Sequence, residues 1–224
     1  MTALLVVATI VVLLTLDWLY ARRTSDALQL HPERDQILVP SIPRALLSGG
    51  FELRENLQYH PAHTWAFKES AGLVRVGMDD FAARLMGTPT SIELPRRGQW
   101  LRQGQRLATL HRGGQAVEIL SPMEGIVAEV NSALEQDPAT VGADPYGAGW
   151  IVTVQAPDMA TSFRNLLKGT AARRWMEEAA DRLRSRLPAL AGAVAQDGGL
   201  PVADMAAELD EETWRALVGE FLNN

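Results

Sequence analysis

Residues 107–131, LATLHRGGQAVEILSPMEGIVAEVN, decide the reading of this chain. Two β-prone runs, 108–111 and 116–120, flank Arg112-Gly113-Gly114-Gln115, and glycine supplies the positive φ that a hairpin tip needs. Ser121-Pro122-Met123-Glu124-Gly125 is a second turn, after which residues 126–130 alternate as a third strand. The stretch predicts a small β-sandwich with a protruding hairpin.

Working outward, residues 64–67 and 73–76 read as paired strands. Asp79 is a helix N-cap before residues 81–86, where Phe81, Ala82, Leu85 and Met86 share one side, and Gly87 fits the C-cap. Residues 91–94, 106–111 and 150–154 complete a mostly antiparallel β set, and Asp144-Pro145-Tyr146-Gly147 is a turn by its chemistry. Trp65, Trp100 and Trp150 are expected in the core or at its rim.

These residues carry a family resemblance. From Tyr59 to Asp158 the chain resembles the glycine-cleavage H protein, a lipoyl-bearing carrier of the biotinyl/lipoyl-domain class. The matching pieces are His63-Thr64-Trp65, Val76-Gly77-Met78-Asp79-Asp80-Phe81-Ala82, Ile92-Glu93-Leu94-Pro95 and Gly98. They continue through Ser121-Pro122-Met123-Glu124-Gly125, Glu129-Val130-Asn131, Ala133-Leu134 and Asp144-Pro145-Tyr146-Gly147-Ala148-Gly149-Trp150. The resemblance implies an α+β chain built on a lipoyl-like antiparallel β-sandwich, a barrel-sandwich hybrid.

It also implies a lysine at the hairpin tip that carries lipoate as an amide. Counting back from Pro122, that position is Gly114, and the only lysines in the chain are Lys68 and Lys168. A swinging arm needs a primary amine on a flexible stem, which arginine cannot replace. The expectation is a kept fold with lost carrier chemistry: no lipoyl or biotinyl group, and no other cofactor. A true carrier whose attachment site is misread stays as the remote alternative.

Ahead of the sandwich, residues 3–16 are apolar apart from two threonines, and Asp17-Trp18-Leu19-Tyr20 follows. As a helix, residues 3–20 would rise roughly 27 Å, close to a bilayer core. Trp18 and Tyr20 suit the interfacial belt and Arg22-Arg23 the cytoplasmic headgroups. A cleaved signal peptide is the rival, but no basic residue precedes the apolar run. Residues 1–23 are expected to be a single transmembrane anchor in the inner (cytoplasmic) membrane, with the amino end outside and the body cytoplasmic.

Residues 24–58 form a connector broken by Pro32, Pro40, Pro43 and Gly49-Gly50, so a long helix or strand is not expected. Its apolar islands, Leu46, Leu47 and Phe51 among them, predict that it packs along the sandwich or a partner. The sandwich itself spans 59–158, and 159–224 is a helical tail. There, Ala172, Trp175, Met176, Ala179, Leu183 and Leu187 recur at helical spacing. Asp210 caps a last helix with Trp214, Leu217, Val218 and Phe221 as its stripe. Residues 164–186 hold seven basic and three acidic groups, whereas 197–220 hold seven acidic and one basic. These segments either pair with each other or lie on the sandwich, or the basic one faces anionic lipid or an acidic subunit. The sandwich is expected to close without its flanks, leaving their stripes for attachment.

Composition excludes several classes. With 224 residues and 47% hydrophobic content the chain can bury one core. A net charge of −6 offers no basic bias for nucleic acid, and the absence of cysteine removes thiolate chemistry and disulfides. His31, His60, His63 and His111 show no ligand spacing, and no nucleophile or phosphate-binding motif occurs, so neither metal nor catalytic residue is expected. What remains is a non-catalytic, membrane-anchored structural subunit of a large membrane complex. The expected hosts are bioenergetic: a respiratory complex, or a photosynthetic reaction centre with its antenna. The expected partners are integral membrane protein subunits and the lipid bilayer, with no small-molecule substrate. The alternative is a docking or regulatory module derived from the H protein.

Overall fold

The computed structural model describes residues 45–186 and 204–222. The anchor expected over 1–23, connector residues 24–44 and the Ala/Gly-rich stretch 189–200 lie outside the described residues. Among the described residues, no helix is long and apolar enough to cross a membrane.

In chain order the strands are β1 (Ala45–Ser48), β2 (Phe51–Arg54), β3 (Gln58–His60), β4 (Thr64–Ser70), β5 (Leu73–Met78), β6 (Ser91–Glu93), β7 (Trp100–Leu101), β8 (Arg106–Arg112), β9 (Gln115–Leu120), β10 (Gly125–Val130) and β11 (Val152–Gln155). The helices are α1 (Asp80–Met86), α2 (Ala133–Gln136), α3 (Thr140–Ala143), α4 (Met159–Arg164), α5 (Gly169–Arg186) and α6 (Glu211–Phe221), with a 3-10 turn at Met205–Glu208. One sheet runs β3-β4-β5-β11-β10-β7 and a second β6-β8-β9, both antiparallel, with β1-β2 as a separate hairpin. This is the lipoyl-like α+β fold anticipated from the sequence.

Alternation sorts the side chains. In β9, Val117 and Ile119 are buried while Ala116 and Glu118 face water. In β5, Val74 and Val76 are fully buried on either side of the more exposed Arg75. The indole of Trp65 lies across Gly77, its cross-strand partner, where an added Cβ would collide with the ring. Its Nε1–H donates to the Pro145 carbonyl at 3.1 Å, tying the sheet to the turn read from Asp144-Pro145-Tyr146-Gly147.

Helix α1 is the hub. Asp79 caps it, its Oδ1 accepting from the Ala82 N–H at 2.9 Å, and Gly87 ends it at φ 67°. Phe81, Ala82, Ala83, Leu85 and Met86 are all buried, so the helix is covered on more than its sandwich side.

The cover comes from the flanks, which corrects the expectation that the sandwich closes without them. Phe51 of β2 and Phe221 of α6 pack against Phe81 with tilted rings, at 4.7 Å and 5.0 Å between centroids. The Trp214 indole N–H donates to the Leu85 carbonyl at 2.8 Å. Glu52 N–H donates to Asp80 Oδ2 at 2.8 Å, and Ser48 Oγ to the Arg173 carbonyl at 2.9 Å. Phe51, Met176, Trp214 and Phe221 join one continuous core with Val76, Leu110 and Val127. Each such side chain contributes roughly 1.5–3 kcal/mol on burial, so these stripes are spent on the fold itself and are not free attachment surface. The connector likewise gains strands: Gly49 and Gly50, at φ 62° and 95°, are a hairpin tip and not merely a break. The tail ties back at β3, where Tyr59 and Leu167 exchange backbone hydrogen bonds of 2.8 Å.

Of the two oppositely charged segments, the described parts meet. Arg186 pairs with Glu220 at 3.1 Å, and the Arg182 guanidinium sits 5.5 Å from the Phe221 ring.

Candidate functional site

The position that the resemblance assigns to a lipoyl-lysine lies at the β8–β9 tip. Arg112 faces Gln115 in the register, and Gly113 and Gly114 make the two-residue turn at φ 56° and 82°. Two successive left-handed residues match the twist of the flanking strands. A Cβ on Gly114 would meet nothing within 4 Å, so the tip opens into free space. There is room for a side chain, and glycine is what occupies it.

The residues beside the tip are held by the carboxyl-terminal segment. Gln115 Nε2 donates to Glu211 Oε1 at 2.7 Å. Arg112 Nη2 approaches Asp204 Oδ1 at 3.4 Å, and its guanidinium stands 5.7 Å from the Trp214 ring. Between tip and tail runs a groove of about 410 Å³, floored by Thr88, Thr90, Leu209 and Trp214. Asp204 also caps the 3-10 turn, accepting from Ala207 N–H at 3.0 Å, and Asp210 caps α6, accepting from Thr213 N–H at 2.9 Å. Those Thr213 hydrogen bonds hold the Asp210 carboxyl below its ordinary value. Sequence reasoning placed the Asp210 cap and missed the clasp. The available signal was Arg112, a cation beside the tip, set against an acidic final segment.

A second cavity of about 410 Å³ opens beside α1, with Glu52, Arg54, Asp80, Arg84, Asp144 and Tyr146 on its walls. Four of its charges are paired internally, Arg54 with Glu52 and Arg84 Nε with Asp80 Oδ1 at 2.9 Å, while Asp144 accepts from the Ala148 N–H at 2.7 Å. The buried Tyr146 hydroxyl accepts from Asp80 N–H at 3.1 Å and donates to the Glu52 carbonyl at 2.5 Å, and burial pushes its pKa well up.

The histidines go to separate places. His63, at φ 58°, sits 2.9 Å through Nδ1 from Asp79 Oδ2, stacked on Phe81 at 4.1 Å with the Trp175 ring tilted against it at 4.5 Å. His60 Nδ1 accepts from Ala62 N–H at 3.1 Å, and burial lowers its pKa. His111 Nε2 meets Glu93 Oε1 at 3.0 Å, and His31 lies outside the described residues. Glu124, beside the Pro122 turn, is exposed. The arrangement is one of packing, caps and internal ion pairs around a glycine-tipped hairpin.

Residues 57–179 match the family model described as "Glycine cleavage H-protein". That span starts beside the expected sandwich boundary at 59 and runs through α4 into α5. A "Glycine cleavage system H protein" of Xanthomonas euvesicatoria pv. vesicatoria (strain 85-10) is 39% identical over 107 residues, covering 48% of this chain and 82% of the relative. One from Mycobacterium avium (strain 104) is 34% identical over 109 residues, covering 49% and 83%. Among solved structures, a glycine cleavage system H protein from Mycobacterium marinum aligns at TM-score 0.43 and 30% identity, covering 47% of this chain and 87% of that one.

Proposed function

We propose that this chain, which belongs to the glycine cleavage H-protein family, is a member that carries no lipoyl group and works as a non-catalytic structural subunit of a larger membrane assembly. One observation carries the reading: Gly114 stands at the open tip of an otherwise intact hairpin, and the residues on either side of that turn are clasped by the tail. No lysine is near enough for a shifted alignment to supply the arm, since Lys68 lies in β4 and Lys168 precedes α5.

In this reading residues 3–20 anchor the chain in the inner membrane, with the amino terminus outside and everything from Arg22 onward cytoplasmic. Its partners are integral membrane subunits and the bilayer, and a bioenergetic complex is the host that best suits a single anchor, a cytoplasmic body and no catalytic constellation. Mild detergent extraction of the native membrane tests it. The chain should co-migrate stoichiometrically with integral membrane subunits, and a free monomer would refute the role. Protease protection in spheroplasts tests topology: cleavage near Trp100 from the outside would reverse the orientation.

The kept β8–β9 geometry favours one second reading, a docking module that engages enzymes of glycine cleavage or lipoyl transfer without handing over lipoate. Recovery of those soluble enzymes, in place of membrane subunits, would select it.

A further inference from the structure

We propose that the sheet face around Trp100 and Ile126 is a contact surface for an anionic lipid bilayer. The stretch Arg96-Arg97-Gly98-Gln99-Trp100-Leu101-Arg102-Gln103-Gly104-Gln105 contains the same turn twice, Arg-x-Gly-Gln. In the first, Gln99 N–H donates to the Arg96 carbonyl at 3.0 Å while the Gln99 side-chain oxygen accepts from Arg96 N–H at 3.1 Å. In the second, Gln105 and Arg102 repeat both bonds at 3.0 and 3.1 Å. Gly98 and Gly104, at φ 83° and 77°, take the left-handed third position of each turn. Two locked turns thus bracket β7, the edge strand of the six-stranded sheet, and hold its arginines on a rigid frame.

The frame surrounds exposed apolar surface. Of the three large hydrophobic residues exposed among the described residues, two are Trp100 (44%) and Ile126 (41%), and they are direct cross-strand partners. The row continues through exposed Gln155 to half-buried Leu73. Arg96, Arg97 and Arg102 are all exposed, and none forms an ion pair with a described acid; Arg106 turns instead to Glu118 at 3.6 Å. No acidic residue occurs from 95 to 117, and continuing the register that pairs Gly125 with Leu101 sets one exposed acid, Glu124, opposite Arg102 without an ion pair between them. In a chain of net charge −6, three exposed arginines against one acid make a local excess of positive charge.

A tryptophan and an isoleucine on an open sheet face, flanked by arginines that form no ion pair with a described acid, match the two layers of a bilayer surface. The indole and alkyl groups enter the acyl boundary, and guanidinium groups stay with headgroup phosphates. A nucleic acid has no use for the isoleucine. The surface does not require the proposed anchor, although an anchor would raise its local concentration at the membrane.

The absence of cysteine permits a clean test on the full chain. Gln155→Cys carries an environment-sensitive nitrobenzoxadiazole label on the row itself, and Glu178→Cys on α5 is the control. The chain is reconstituted with vesicles of phosphatidylcholine alone, or of equal parts phosphatidylcholine and phosphatidylglycerol. The label at 155 should brighten and blue-shift only with phosphatidylglycerol, fade as salt is raised, and leave the 178 control unchanged. Each basic residue near an anionic surface is worth about a fivefold preference. The triple variant Arg96→Gln/Arg97→Gln/Arg102→Gln should therefore shift the docked-to-free ratio down on the order of a hundredfold, with an unchanged far-ultraviolet circular dichroism spectrum. Equal response in both vesicles, insensitivity to salt, or an unaltered response in the folded triple variant would overturn the proposal. So would an equal response to polyglutamate or duplex DNA, which would assign the surface to an acidic macromolecule.

Discussion

The side-chain amide of Gln115, one residue past the tip glycine Gly114, donates to the carboxylate of Glu211 in the last helix at 2.7 Å. With Arg112 directed to Asp204 and Trp214 on the other side of the turn, the hairpin tip is joined to the final segment by residues from both strands. A tip built to swing a cofactor between sites gains nothing from such a tether. A tip used as packing surface does.

The clasp predicts a local effect with a small global one. Exposed pairs are worth about 0.2–1 kcal/mol, so Glu211→Ala should shift the thermal midpoint by only a few degrees. Hydrogen exchange should nevertheless quicken at residues 112–116. Unchanged protection there would mean that the tether does not order the tip.

Gly114→Lys should fold. Its side chain has open space, and the left-handed φ of 82° costs a non-glycine residue roughly 1–2 kcal/mol. A thermal midpoint lowered by several degrees with an unchanged spectrum is the expected result; loss of folding would show that the tip is more constrained than its geometry indicates.

Truncation after Pro157 should abolish the folded state. Met176, Trp214 and Phe221 complete the core around α1, and removing one buried aromatic alone costs about 3–5 kcal/mol. Trp214→Ala also leaves the Leu85 carbonyl without its indole donor. A truncated chain that melts cooperatively near the full-length temperature would return the tail to the status of an appendage.

The pH dependence has two limbs. Burial lowers the His60 pKa, so the folded state favours the neutral ring, and that stability is present above the unfolded value of about 6.5 and is lost as pH falls below it. His60→Gln should flatten the loss just below pH 6.5. Burial raises the pKa of Tyr59 and Tyr146, so their contribution is complete below the unfolded value of about 10 and is lost as pH rises above it. Tyrosinate absorbance from these two should appear together with alkaline unfolding. Ionisation of both in a still-folded protein would contradict the burial argument.

The sandwich was legible because its signals are local. Asp79 and Gly87 bound α1 as their side-chain chemistry requires, and Gly113-Gly114 between β-prone runs gave the hairpin. The helical stripes of α5 and α6 were legible as well, since Met176, Leu183, Trp214 and Phe221 keep the period of their helices. Their destination was not, because periodicity reveals that a face is buried and not against what. Gly49-Gly50 misled in the opposite sense: among prolines it reads as a breaker, yet it joins β1 to β2. Strand β7, two residues long, is too short for any alternation to show, and its Trp100, expected in the core or at its rim, stands exposed. At the site, Gly114 was located by counting from Pro122, whereas Asp204 and Glu211 reach the tip from about ninety positions away.

The central claim is that the hairpin tip carries nothing. Intact mass spectrometry of the full chain, purified from the cells that make it, measures this most directly. The account predicts the mass of the unmodified sequence, with no increment on Lys68 or Lys168, the only lysines, when the chain is also mapped as peptides. A stoichiometric increment matching lipoate on any residue would contradict it and restore the chain to the carriers.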